Sequence, residues 1–178
     1  MKSPAISVRP ITVLALLAAT LLAGSARPVH AQDADVMREF RDRTAIEALM
    51  WRYVRALDSF DENAYAAVFT SDGRFTAGTM TVAGPEALRK MIAGFRQRRA
   101  EQAARGEKPT PMHHIITNSY VEFLDKDHAR MNAYWMTVFE GADQASPPRV
   151  AAAGRSVDEL VRVHGQWLIR TRDVTPRD

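Results

Sequence analysis

The chain has 178 residues, 46% of them hydrophobic and 25% charged, with a formal net charge of +3 and no cysteine. That length fits one globular domain with a short appendage, and the missing thiols exclude a disulfide framework, a zinc–thiolate site, a cysteine nucleophile and an acylated lipoprotein cysteine. The positive balance does not mark a nucleic-acid binder: Lys2, Arg9 and Arg27 are the basic residues of the first 31, no acidic residue accompanies them, and the remaining 21 Lys and Arg match the 21 Asp and Glu.

Lys2 and Arg9 precede an apolar run of 14 residues, Ile11 to Gly24, short of the roughly 20 that cross a bilayer. Val29 and Ala31 then put small residues at the −3 and −1 positions of a signal-peptidase site. Together these read as a secretory signal peptide over residues 1–31, cleaved after Ala31. Cleavage leaves 147 residues starting at Gln32, expected in a periplasm or outside the cell with no stable membrane anchor.

Residues 32–41 are polar and predict a flexible segment. From Asp42 the pattern turns helical, with Ile46, Leu49, Met50, Tyr53, Val54 and Leu57 at three- and four-residue spacing. Asp61 suits the N-cap of a short helix, Glu62–Phe69, that buries Tyr65, Val68 and Phe69. Ser71-Asp72-Gly73 signals a turn before two short strands, Arg74–Thr76 and Met80–Ala83. Gly84-Pro85-Glu86 opens a third helix with Leu88, Met91, Ile92 and Phe95 as its apolar stripe. Four long strands follow: His114–Leu124, Arg130–Phe139, Val150–Val163 and Gln166–Val174. Asp125-Lys126-Asp127, the stretch Gly141–Pro148, and His164-Gly165 connect them. Helices grouped ahead of hairpin-linked strands predict an α+β domain over residues 42–178, with the helices covering one face of a curved antiparallel sheet.

Two polar features stand out. Ile46, Met50, Val54 and Asp58 are spaced by four, so a helix that continues to Asp58 puts a carboxylate on its buried stripe. Burying it alone costs several kcal/mol, so it then needs a partner. If the helix has already ended, Asp58 sits in solvent near Asp61. His113 and His114 are adjacent on a strand and point to opposite faces, and periodicity does not decide which faces inward. A histidine paired with an aspartate makes a general base, the carboxylate fixing the tautomer and stabilising the imidazolium. No Gly-x-Ser-x-Gly or phosphate-binding glycine loop is present, and diverging neighbours make His113 and His114 a poor metal pair. Arg96, Arg98, Arg99 and Arg105 are interrupted by Glu101 and lack interleaved aromatics, which reads as a solvated helix surface. No cofactor, metal or nucleic acid is predicted.

The combination resembles the SnoaL-like branch of the nuclear transport factor 2-like superfamily, within it scytalone dehydratase and hexachlorocyclohexane dehydrochlorinase. The resemblance runs from Asp42 to Val174. It is carried by Arg43-Thr44-Ala45-Ile46-Glu47-Ala48-Leu49 with Tyr53 and Asp58, by Phe69-Thr70-Ser71-Asp72-Gly73, and by Gly84-Pro85-Glu86. His114-Ile115-Ile116-Thr117-Asn118, Gly154-Arg155 before Asp158-Glu159, and Gly165-Gln166-Trp167 complete it. It implies a cone formed by a curved, partly mixed sheet, an α+β barrel whose apolar pocket three N-terminal helices close. It also implies that His114 faces the pocket as a proton-abstracting base held by Asp58.

The dehydratase's second histidine has no counterpart in Tyr134-Trp135-Met136-Thr137-Val138-Phe139, so its substrate does not carry over. The expectation is an exported, cofactor-independent lyase acting on an apolar small molecule. Tyr53, Asn118, Tyr134, Trp135 and Phe139 are the predicted substrate-binding residues, with Met136 as a further lining candidate. A non-catalytic carrier or sensor of hydrophobic molecules, and an isomerase that returns the proton, are the alternatives. A homodimer is implied by the superfamily alone.

Overall fold

The computed structural model describes residues 29–141 and 145–176, with side chains from Asp33 onward. The signal peptide expected over residues 1–31 therefore lies outside the described residues, save for the backbone of 29–31. The chain divides into two units, Met1–Met37 and Arg38–Asp178, and the site and packing described below belong to the second. Among the described residues no helix is long and apolar enough to cross a membrane.

The elements run α1 (Val29–Asp58), α2 (Glu62–Ala67), β1 (Phe69–Ala77), β2 (Met80–Ala83), α3 (Pro85–Ala104), β3 (Met112–Phe123), β4 (His128–Phe139), β5 (Arg149–Val163) and β6 (Gln166–Asp173). The six strands form one sheet in the order β2-β1-β6-β5-β4-β3. β1 pairs with β6 in parallel and every other neighbour is antiparallel. The result is the α+β architecture read from the sequence, with a mixed sheet.

The apolar stripe of α1 is buried as its spacing requires, Ile46, Leu49, Met50, Tyr53, Val54 and Leu57 all lying in the core. Leu88 and Ile92 of α3 and Met131, Leu160 and Ile169 of the sheet join them. Polar bonds fix the register of α1 against the strands. Asp42, itself buried, accepts from Trp167 Nε1 at 3.2 Å and pairs with Arg162. Arg43 Nη1 donates to the Val121 carbonyl at 2.9 Å.

Two segments differ from the sequence reading. Residues 32–41, expected to be flexible, belong to α1. Val36, Met37 and Phe40 stand at helical spacing there but are all more than half exposed, so this part of the helix has no buried stripe. Local contacts such as Arg43 Nη2 to Glu39 Oε1 at 2.6 Å support the helix instead. Ser71-Asp72-Gly73 is a bulge inside β1 rather than a turn before it, because the pairing with β6 shifts between Phe69 and Arg74. A Cβ at Gly73 would lie 2.7 Å from Phe69 Cβ and 2.8 Å from the Thr70 oxygen, so only glycine fits the kink. The short helix consequently ends at Ala67, and Phe69 already pairs with Ile169.

Candidate functional site

Asp58 is the last residue of α1, and the way that helix stops decides where its carboxylate goes. Phe60 takes φ +54°, its N–H bonds the Leu57 carbonyl at 3.2 Å, and the Asp61 N–H bonds the Ala56 carbonyl at 2.9 Å. These are the paired bonds of a Schellman stop. Left-handed backbone at a phenylalanine costs about 1–2 kcal/mol. In exchange the helix holds its geometry through Asp58 and reverses at once. Asp61 then caps α2, its Oδ1 accepting from the Asn63 and Ala64 N–H groups at 3.1 and 2.9 Å.

β3 is an edge strand, so alternate N–H groups along it have no strand partner. Asp58 takes one of them. Its Oδ1 and Oδ2 accept from the His114 backbone N–H at 3.1 and 3.3 Å, and Oδ1 lies 2.6 Å from His114 Nδ1. The two side chains are 11% and 20% exposed. A carboxylate at that distance makes Nδ1 the protonated nitrogen, which leaves Nε2 as an acceptor with no hydrogen-bond partner among the described residues. His113, one position earlier, points to the other face and pairs with Glu140 at 2.7 Å.

His114 lines a cavity of about 710 Å³. Leu57, Phe60, Met91 and Phe95 close it from the helical side; Phe75, Ile116, Trp135 and Phe139 close it from the sheet. Of the predicted substrate-binding residues, Tyr53, Trp135 and Phe139 line this cavity and Asn118 and Tyr134 do not. Asn118 sits with φ +51° at the irregularity of β3 between Thr117 and Tyr120, and its side chain is exposed. That irregularity breaks the alternation on which its placement rested. Tyr134 is 54% exposed because Trp135, its neighbour on a regular strand, faces inward. Met136 lies outside the lining for the same reason.

Sequence reasoning missed a buried polar group at one wall of the cavity. Asp158 and Arg172 stand opposite each other on β5 and β6, and Arg172 Nη1 donates to both Asp158 oxygens at 2.7 Å. Both are fully buried, with Ser156 bonded to Asp158 at 3.3 Å. The guanidinium lies 4.4 Å from the Tyr53 ring centroid. Burial pushes the Asp158 carboxyl up, and Arg172 and Ser156 oppose it. Burial works against the Arg172 charge as well, but Asp158 outweighs it and holds the guanidinium above its usual range. Tyr65, packed on Tyr53 at 5.3 Å between ring centroids, is driven well above the ordinary tyrosine range by burial, with Tyr53 adding to the effect. The Tyr65 hydroxyl and Arg172 Nε are buried without hydrogen-bond partners among the described residues, and both residues line the cavity. Among the described residues no group of three or more His, Asp or Glu converges as a metal site.

Residues 38–173 match the family described as SnoaL-like domain. Among solved structures, a Mycobacterium tuberculosis protein of unknown function is 25% identical, with 76% of each chain covered and a TM-score of 0.61. A Novosphingobium aromaticivorans protein provisionally assigned as a scytalone dehydratase is 22% identical, with 78% of this chain and 85% of that one covered and a TM-score of 0.62. A nuclear transport factor 2-like protein with a cystatin-like fold from the same organism is 20% identical, covers 86% of this chain and 92% of its own, and has a TM-score of 0.68. No curated protein matches the sequence. The three helices and mixed six-stranded sheet are thus the nuclear transport factor 2-like fold.

Proposed function

This chain belongs to the SnoaL-like domain family, and from that footing we propose that it is a cofactor-independent lyase whose general base is His114 held by Asp58. The observation that carries the reading is the 2.6 Å contact between Asp58 Oδ1 and His114 Nδ1 at the wall of an apolar cavity. His114 Nε2 takes a proton from a carbon of the bound substrate. The C–H electron pair forms a double bond as halide leaves the neighbouring carbon with its bonding pair, or as hydroxide leaves with its pair and takes the proton from His114 to depart as water. Where the proton comes instead from a hydroxyl oxygen, the O–H pair forms a carbonyl, the adjacent C–C bond breaks, and the carbonyl fragment departs while the remaining carbanion takes up the proton. Asp58 stabilises the imidazolium that results. Tyr53, Trp135 and Phe139 orient the substrate.

The apolar segment behind Lys2 and Arg9 supports export to a periplasm or beyond, with Gln32 as the mature N-terminus.

The decisive assay sets the wild-type chain and His114→Ala against panels of dehydration and dehydrohalogenation substrates. Turnover by the wild type that the variant lacks supports the base. Turnover that survives in the variant removes it. Tight binding without turnover identifies a carrier, and solvent deuterium appearing in recovered substrate without elimination identifies an isomerase.

A further inference from the structure

The even charge of the chain beyond its first 31 residues is broken around the cavity. Arg98 and Arg99 near the end of α3, Lys108 in the loop that follows, and Arg149 at the start of β5 all line it. Three of these cations lie on phenylalanines of the same cavity. Arg98 Cζ is 4.8 Å from the Phe95 centroid, Arg99 Cζ 5.5 Å from Phe60, and Arg149 Cζ 5.3 Å from Phe139. A cation over a ring face is held by the ring's quadrupole, while its N–H donors stay available to other partners. Arg99 uses one such N–H on the Thr110 carbonyl at 2.9 Å. Among the described residues no carboxylate pairs with any of the four. Glu107, the acidic residue in the cavity lining, is bound to Arg105 at 3.0 Å.

Four like charges gathered on an apolar cavity repel one another and raise the local concentration of anions. Placed over aromatic rings, the three guanidiniums offer N–H donors to a planar or tetrahedral oxyanion. We propose that the cavity takes an apolar molecule bearing one anionic group, such as a carboxylate or sulfonate, with the anion seated among Arg98, Arg99, Lys108 and Arg149. The apolar body then packs between the helical wall and Trp135, and the end remote from the anion is the part presented to His114. This rests on the reading of the cavity as the ligand site, and it requires binding only, not turnover.

Anilinonaphthalene sulfonate and its uncharged counterpart phenylnaphthylamine share an apolar body and differ by one sulfonate, so fluorescence titration of the full chain with each isolates the anion's contribution. The sulfonate is expected to bind about tenfold more tightly, as one or two charge-assisted bonds warrant. That advantage should shrink as salt is raised. The double variant Arg98→Gln with Arg149→Gln should lose the advantage, the sulfonate losing several times more affinity than phenylnaphthylamine does. Equal affinities for the two probes in the wild type, or equal losses for both in the variant, overturn the proposal. So does pelleting of the protein with phosphatidylglycerol vesicles that the same double variant abolishes, since that assigns the cations to a lipid surface. The anion seat is read from the ratio of the two probe affinities and the base from turnover in His114→Ala, so a failure of the base and a failure of the anion seat give different results.

Discussion

Asp58 accepts from His114 twice over, through the backbone N–H at 3.1 Å and the ring Nδ1–H at 2.6 Å. The first bond fixes where the residue sits and the second fixes which way its ring faces. A carboxamide at position 58 can satisfy the backbone donor yet cannot stabilise the imidazolium as a carboxylate does. Asp58→Asn is therefore expected to keep the fold and, on a substrate the wild type turns over, to lower kcat by about 10²–10⁴, as His114→Ala does. Steady-state kinetics paired with circular dichroism checks this, and wild-type kcat in a folded Asp58→Asn protein would remove Asp58 from the mechanism.

The Asp158–Arg172 pair makes a prediction of a different kind. Both groups are sequestered from water, so Asp158→Asn strands a buried guanidinium and should cost about 3–5 kcal/mol of stability. Removing both charges with Asp158→Leu and Arg172→Met should recover most of that loss, because neither buried charge is then left unpaired. Urea denaturation of the two variants gives the comparison. A double variant no more stable than Asp158→Asn would show that packing, and not charge, is what the pair contributes.

How far the sequence reaches is set by how local the information is. The four-residue spacing Ile46, Met50, Val54, Asp58 puts a carboxylate on the buried stripe only if the helix continues that far, and the helix does run to Asp58. Strand alternation put His113 and His114 on opposite faces but left the choice open. Only the tertiary bond to Asp58 decides it. Tyr134 and Trp135 could not both face inward on a regular strand, whereas Asn118 was beyond reach because the irregularity of β3 shifts the phase beside it. Asp158 and Arg172 meet through the β5–β6 register, which itself shifts between Glu159 and Leu160. No pattern within either strand announces that pairing.

Trp135 sits directly opposite Gly154 in the β4–β5 ladder, and its indole occupies the space a side chain at 154 would need. A Cβ there would come 2.9 Å from Trp135 Cζ2, and the ring cannot easily retreat: Nε1 donates to the Arg155 and Val174 carbonyls, each at 3.0 Å. Gly154→Ala is thus expected to cost about 1–3 kcal/mol through overpacking. Because Trp135 lines the cavity, the same change should weaken binding of an apolar probe and shift tryptophan emission. Wild-type stability and probe affinity in Gly154→Ala would show that the indole moves freely.

Tyr65 links the cavity wall to alkaline stability. Its hydroxyl is buried without a hydrogen-bond partner among the described residues, and burial holds its proton well above the ordinary tyrosine range. Below about pH 10 the phenol is protonated in both folded and unfolded chains and contributes no pH dependence. Above that point the unfolded chain releases the proton while the folded chain keeps it, so stability falls as pH rises. The slope for one such group is about 1.4 kcal/mol per pH unit until the folded value is reached. Tyr65→Phe removes this group from the linkage, so its stability should fall less steeply than the wild type's in denaturant titrations above pH 10. At neutral pH the variant should lose no more than about 1.5 kcal/mol, the most that the hydroxyl's polar contact with Tyr53 contributes. Identical slopes in the two proteins would mean that Tyr65 ionises in the folded state as readily as in the unfolded one.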